Sequence, residues 1–343
     1  MKKLLTVVVP TYQTERFIRN CLTSLLQSKW AERTEILVID DGSFDQSGCI
    51  AEEYAKQYPQ IVQVIHKENG GHGSTINVGV HLASGKYFRV VDSDDSVNPL
   101  AYEAYLKKLE QIDCDLVVTP FLCVQARGGE QILQEREVEG SNTLLKEVVL
   151  PFRTVAEKLH IRIQEWTIRT KILKEQAITL SEHSFYVDMQ WILFPIPWIE
   201  TVCILPELVY RYRLGEASQS VSIQSMQRQK EQHRAILRSL IVFYQEREAS
   251  GERTEVLQYL ARGIAKMEAN QVQITLSLPI GRKAKQELIW IEQELKETCF
   301  AAYQANEKKS LHWLRNSTYW LYPFAALAWR VKKREKIGKK KEK

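Results

Sequence analysis

Leu4–Val9 is a continuous apolar, valine-rich run closed by Pro10, the pattern of a strand buried on both faces of a parallel sheet. Phe17, Ile18, Cys21, Leu22, Leu25 and Leu26 then recur at helical spacing and give one apolar stripe. Glu35–Ile39 reads as a strand stopped by Asp40-Asp41-Gly42-Ser43, and residues 46–58 read as a helix. A strand at Ile61–Ile65, a glycine-rich loop at Asn69–Gly73, a helix at Ser74–Ala83 and a strand at Tyr87–Val91 continue the alternation. This β-α-β-α-β-α-β order predicts an open, mostly parallel sheet with helices on both faces. Polar, charged loops follow the carboxyl ends of these strands at Pro10–Thr14, Asp40–Asp45, Lys67–Ser74 and Asp92–Ser96. Ligands of such sheets bind in that crevice.

Further along, Leu100–Gln111 has a helical pattern, Leu116–Thr119 is strand-like, and Gly128-Gly129 marks a turn between less regular segments. Beyond about residue 222 the character changes to long helical patterns over Gln224–Glu248, Thr254–Leu276 and Lys283–Asn306. An aromatic-rich stretch, Trp313–Trp329, then leads into a basic tail. The organisation expected is an α/β domain over residues 1–222, a helical region over 223–310, and an aromatic amphipathic segment with a polybasic tail over 311–343. A chain of 343 residues has room for one large domain with such an appendage.

Charge sharpens the reading of that tail. The formal net charge is +5, but residues 330–343 hold nine Lys/Arg against Glu335 and Glu342, or +7, so the rest of the chain is at −2. A nucleic-acid protein spreads basic charge over a binding face, so a nucleic-acid partner is not expected and a local electrostatic anchor is. The longest uncharged run, Asn316–Trp329, is interrupted by Pro323 and falls short of the ~20 residues a membrane span needs. The stretch is expected to lie on an anionic membrane surface, with a core-packed helix as the alternative. The apolar run after Met1 is too short for a signal peptide, and the six cysteines form no CxxC pair. A cytoplasmic chain, peripheral on the inner face of the cell membrane, is the expectation.

Three loops carry candidate chemistry. Asp92-Ser93-Asp94-Asp95 puts three carboxylates in four residues directly after a buried strand, a crowding that a divalent cation relieves. An exposed acidic turn explains the same residues equally well. Asp40-Asp41 ends another strand and offers acceptors to a base or a ribose. Glu68-Asn69-Gly70-Gly71-His72-Gly73-Ser74 presents free N–H groups before a helix, without the spacing of a P-loop or a dinucleotide fingerprint.

Val8-Val9-Pro10-Thr11-Tyr12, Ile39-Asp40-Asp41-Gly42-Ser43, Asn69-Gly70-Gly71, Ala83-Ser84-Gly85-Lys86-Tyr87 and Asp92-Ser93-Asp94-Asp95, in this order, resemble the motif series of family 2 glycosyltransferases. The resemblance implies a GT-A fold, a Rossmann-like nucleotide-binding sheet here followed by a helical extension. It also implies a nucleotide-diphosphate-sugar donor, usually a UDP-sugar, a saccharide or lipid-linked acceptor, and inversion at the anomeric carbon. Carried over residue by residue, Tyr12 would stack on the base, Asp41 would bond its imide, and Asp92 would face the ribose. Asp94, with Asp95 close by, would hold Mn²⁺ or Mg²⁺. Pro10, Thr11, Asp40, Asn69, Gly70, Gly71 and Ser93 complete the expected donor-binding set.

An inverting transfer also needs a general base. Tyr186-Val187-Asp188-Met189-Gln190-Trp191 resembles the family's base-bearing segment with Val187 where Glu is usual, which assigns the role to Asp188, with Glu182 and Glu165 as competitors. Tyr210-Arg211-Tyr212-Arg213 and Gln219–Ser222 resemble the segment that closes the catalytic domain; an edge strand with solvated arginines is the other reading. Two functions compete with glycosyl transfer. A sugar nucleotidyltransferase would need a glycine- and basic-rich loop after the first strand, where Pro10–Thr14 has no glycine. A non-catalytic nucleotide- or sugar-binding module is opposed only by the full acidic set.

Overall fold

The structure, a computed structural model, describes residues 2–127, 130–136, 147–214, 223–306 and 308–341. The turn expected at Gly128-Gly129 and the Gln219–Ser222 segment lie outside them. The chain packs as two compact units, Met1–Glu216 and Ala217–Lys343.

The first unit begins with β1 (Leu5–Thr11), α1 (Ile18–Leu26), β2 (Thr34–Asp40), α2 (Ser47–Gln57), β3 (Val62–His66), α3 (His72–Leu82) and β4 (Tyr87–Val90). Every residue of β1 is buried, as its unbroken apolar run requires. It lies between β2 and β4 and parallel to both, and β2 pairs in parallel with β3. The carboxyl ends of these strands, at Thr11, Asp40, His66 and Val90, therefore share one edge of the sheet.

After β5 (Ser96–Val97) and α4 (Pro99–Gln111) come β6 (Leu116–Val118), β7 (Phe121–Arg127), β8 (Glu130–Arg136) and β9 (Val149–Pro151). The unit continues through α5 (Phe152–Val155), β10 (Trp166–Arg169), α6 (Thr170–Glu175), α7 (Asp188–Leu193), β11 (Thr201–Ile204) and β12 (Tyr210–Leu214). The main sheet has the order β3-β2-β1-β4-β10-β6-β11-β9. β10 enters antiparallel between β4 and β6, so the sheet is parallel in its first half and mixed in its second. A second sheet runs β5-β12-β7-β8. Its strand β12 pairs on both sides, which excludes the edge-strand reading of Tyr210–Arg213. The segments read as irregular around residues 121–136 form the antiparallel pair β7 and β8.

The second unit is helical: α8 (Ile223–Arg228), α9 (Lys230–Ala249), α10 (Thr254–Ser277), α11 (Arg282–Thr298), α12 (Phe300–Ala305), α13 (Lys309–Asn316) and α14 (Tyr322–Lys341). α10 is buried along most of its length. At its centre the Arg315 guanidinium donates to Glu292 at 2.6 Å and stacks 3.6 Å from the Tyr303 ring, with Glu268 also buried alongside. The aromatic stretch divides by face. Leu311, Leu314, Tyr322 and Ala326 pack against Val272, Leu276, Ala284 and Leu288, whereas Trp313, Trp320, Phe324 and Leu327 are exposed. Among the described residues no helix is long and apolar enough to cross a membrane.

Candidate active site

The loops at the shared strand edge assemble around two carboxylates that the protein itself saturates. Asp41 is buried at the end of β2, and its Oδ1 accepts from Lys67 Nζ at 2.8 Å and Gly70 N at 2.9 Å. Its Oδ2 accepts from Gly71 N at 2.8 Å, and its carbonyl accepts from Asn69 Nδ2 at 3.0 Å. Asp41 thus ties the glycine-rich loop to the sheet. Gly71, which opens α3, has φ of +83°, a conformation that side chains resist. Asp40 turns the other way. Its Oδ2 meets His66 Nδ1 at 2.8 Å, and its Oδ1 accepts from Ser43 N at 3.0 Å.

Asp95 is the second saturated carboxylate. Tyr210 donates its hydroxyl to Oδ2 at 2.6 Å, and Arg213 donates its backbone N–H to Oδ1 at 2.7 Å. The Tyr210 oxygen also accepts from Asp92 N at 3.2 Å, and Arg213 Nε donates to the Asp94 carbonyl at 2.9 Å. Strand β12 therefore clamps the acidic loop from behind, with the Arg213 guanidinium 4.7 Å from the centre of the Phe17 ring. Ser93 is buried as well, and its hydroxyl accepts from Thr14 Oγ1 at 2.9 Å.

Asp94 differs from its neighbours. Among the described residues no other residue donates a hydrogen bond to its carboxylate, which is half-buried at the mouth of the loop. Burial and then the charge of Asp92 push its pKa up to about 6, against the pull of Arg213 and His72. Asp92 is engaged by His72, whose Nε2 lies 2.9 Å from Oδ1. Desolvation alone would depress the imidazole. The hydrogen bond to Asp92, with the charges of Asp92, Asp188 and Asp94, outweighs it and raises the pKa to about 9.

Asp188 opens α7, on a segment held against the glycine-rich loop. His183 N donates to Gly70 O at 2.5 Å, and Gly73 has no side chain because a Cβ there would come within 2.2 Å of the Ser181 carbonyl. Gln190 fixes Ser181 through both its amide oxygen and its amide nitrogen at 2.9 Å, and Asn77 accepts from Leu180 N at 2.8 Å. His183 and Tyr186 adopt φ of 51° and 68°, a local strain of about 1–3 kcal/mol each that this docking sustains. The Asp188 side chain reaches solvent, yet the crowded walls around it raise its pKa; His72 opposes the rise and Asp92 adds to it. Val187, in the place of a second carboxylate, is a buried apolar residue.

The two competing carboxylates are engaged by the protein itself. Glu165 is buried and accepts from Arg162 N at 2.6 Å as part of a capping box, and Glu182 lies exposed near Asn77 Nδ2 at 3.4 Å. Of the expected donor-binding residues, Tyr12, Asn69, Gly71 and Asp92 reach the surface of the edge, as does Asp94 of the expected metal pair, whereas Pro10, Thr11, Asp40, Asp41, Gly70 and Ser93 are buried behind it. Exposed Phe44 meets Tyr12 edge-on at 6.4 Å and widens the aromatic rim. Sequence reasoning passed over Phe44, Lys67 and the role of Tyr210. An aromatic at the tip of the Asp40–Asp45 loop was the available signal for the first; nothing local signals the other two. Among the described residues no three His, Cys, Asp or Glu side chains converge to hold a cation by themselves.

The profile of the family described as Glycosyl transferase family 2 matches residues 6–178, half of the chain. The chain belongs to family 2 of the glycosyltransferases. Membership of this family opposes the nucleotidyltransferase and the non-catalytic readings. Curated relatives include the uncharacterized glycosyltransferase EpsJ of Bacillus subtilis, 40% identical over 117 residues, 34% of this chain and 33% of the relative. GlyG of Streptococcus pneumoniae is 36% identical over 119 residues, 34% and 39% of the two chains. The minor teichoic acid biosynthesis protein GgaB of B. subtilis is 30% identical over 134 residues, 38% and 15%. The matches thus span about a third of the first relatives' own length. Among solved structures, S. aureus TarS 1–349 in complex with UDP-GlcNAc superposes with a TM-score of 0.65 at 19% identity, covering 95% of this chain and 91% of that one. This likeness shows the fold, which is of the GT-A type.

Proposed function

We propose that this glycosyltransferase moves a sugar from a nucleotide-diphosphate donor, a UDP-sugar, to a hydroxyl of a saccharide or lipid-linked acceptor, with inversion, in the synthesis of cell-surface polysaccharide, teichoic acid or glycolipid. The UDP-GlcNAc bound by TarS and the teichoic-acid role in the name of GgaB support this substrate class. The observation that carries the reading is Asp94: one carboxylate to which no other described residue donates, in a loop where Asp95 is spent on Tyr210 and Arg213.

That donor set fits Mn²⁺ or Mg²⁺, which takes one or two carboxylates from such a protein and completes its shell with phosphate oxygens and water. Asp94 would be the direct ligand, with Asp95 fixing the loop. When bound, the ion neutralises the charge that develops on the diphosphate leaving group. The rest belongs to the chain. Tyr12, with Phe44 beside it, offers a face to the base, and Asp92 an acceptor to the ribose. Asp188 takes the proton of the acceptor hydroxyl as its oxygen attacks the anomeric carbon and the bond to the diphosphate oxygen breaks. Its raised pKa makes it a stronger base than an ordinary carboxylate. The same reading puts the chain on the inner, anionic face of a cell membrane, where lipid-linked acceptors are assembled.

A thermal-shift panel of nucleotide sugars with and without Mn²⁺ tests the donor. A metal-dependent rise in melting temperature is expected with a UDP-sugar, and a flat response to every nucleotide sugar would remove the reading.

A further inference from the structure

Helix α14 carries two apolar stripes, and the core needs only one. Tyr322 and Ala326 are buried against Val272, Leu276 and Leu288, with Ala325 and Trp329 partly covered beside them. The other stripe is Trp320, Phe324, Leu327 and Val331, which are 70%, 62%, 56% and 49% exposed. Phe324, Leu327 and Val331, at spacings of three and four residues, lie on one line along the helix, and Trp320 stands in the turn just before it. The Trp320 and Phe324 rings touch, with centroids 6.2 Å apart. A soluble helix normally turns polar residues to water; four large apolar groups in a row need a partner.

The charge of the chain selects that partner. Residues 330–343, which continue from the stripe, hold nine Lys/Arg and two Glu, a net +7 against −2 for the remainder. A second copy docking on this stripe would bring two such segments together, so self-association is electrostatically opposed. An acidic surface with an apolar interior satisfies both features at once, and that is an anionic lipid bilayer. No described helix is long and apolar enough to cross it, which leaves the geometry of a helix lying in the plane.

We propose that α14 lies flat in the headgroup layer of an anionic membrane, with Trp320, Phe324, Leu327 and Val331 inserted and the basic segment on the lipid phosphates. This surface supplies residues for the membrane placement of the proposed function, on which it rests; the transfer chemistry stands or falls separately. Apolar insertion and charge are the two signals that stable anchoring takes.

The test uses the full chain on phosphatidylcholine vesicles with and without phosphatidylglycerol. Wild type is expected to sediment with the anionic vesicles only, to blue-shift its tryptophan emission on binding, and to elute in part at roughly 1 M salt, where screening reaches about 3 Å. The combined variant Trp320→Ala, Phe324→Ala, Leu327→Ala should bind at least about tenfold more weakly, because three inserted side chains are lost. Its melting temperature and its donor turnover should be unchanged, since all three side chains are exposed. Vesicle binding equal to wild type in that variant would overturn the proposal, as would wild type that ignores phosphatidylglycerol. A concentration-dependent dimer abolished by the same three changes would reassign the stripe to a second copy. Should the triple variant fold poorly, the emission shift of wild type still decides: no shift on anionic vesicles rejects insertion.

Discussion

Tyr210 reaches across 115 residues of sequence to donate its hydroxyl to Asp95 at 2.6 Å, and with that bond the second sheet fixes the acidic loop at the edge of the first. The same hydroxyl accepts from Asp92 N, so one phenol sets both ends of the Asp92–Asp95 turn. Burial pushes the Tyr210 phenol well up, and the adjacent carboxylates push the same way, so it remains a donor throughout the working range.

Removal of that hydroxyl should therefore loosen the loop without unfolding the domain. In Tyr210→Phe, buried Asp95 keeps only the Arg213 N–H, and leaving its other oxygen unsatisfied costs about 1–3 kcal/mol. Denaturant melts should show the unfolding free energy fall by that amount and the midpoint fall with it, with a weakened response to Mn²⁺ in donor binding. An unchanged midpoint would mean that the clamp carries no stability.

Asp94 is expected to work against stability and for function. Its folded pKa of about 6 lies above the ordinary carboxylate value of 3.8, so the stabilising protonated form persists at low pH and its benefit is lost as pH rises through about 6. Near neutral pH, Asp94→Asn should raise the melting temperature of the metal-free protein while it abolishes the metal-dependent part of UDP-sugar binding. Calorimetry on both proteins checks the pair of effects, and a lower melting temperature with intact metal response would refute the assignment.

His72 gives a pH dependence of the opposite sense. A folded pKa of about 9, raised from 6.5, contributes stability that is fully present below about pH 6.5 and disappears as pH rises through about 9. The stability gap between wild type and His72→Gln should close over that window. An NMR titration of the His72 ring that falls near the ordinary value would contradict the charged imidazole placed beside Asp92.

Much of the first half of the sheet was legible in the sequence because each parallel strand there is an apolar run followed by an amphipathic helix. β1 and α1 appear within a residue or two of the pattern that Leu4–Val9 and Phe17–Leu26 announce. The antiparallel intrusion of β10 was not legible, since four residues, Trp166–Arg169, leave no periodicity to read. The interior place of β12, which the edge-strand alternative missed, was not legible because its neighbours, β5 and β7, lie about 90 to 115 residues earlier. The acidic loop could be found from its composition, but not the division of labour within it. Whether Asp94 or Asp95 is free depends on Tyr210 and Arg213, which no local window contains. The two faces of α14 were likewise read as rival descriptions of one segment, because the apolar positions alone do not say which stripe finds the core.

The central claim is chemical: donor held at Asp92 and Asp94, proton taken by Asp188. It is tested most directly by measuring nucleoside-diphosphate release from a UDP-sugar, in the presence of Mn²⁺, by wild type and by Asp188→Asn. The account predicts that the variant binds the donor with nearly wild-type affinity and loses a factor on the order of 10²–10⁴ in kcat, the contribution of a general base. Wild-type kcat in Asp188→Asn, or a loss of donor affinity with kcat preserved, would contradict it.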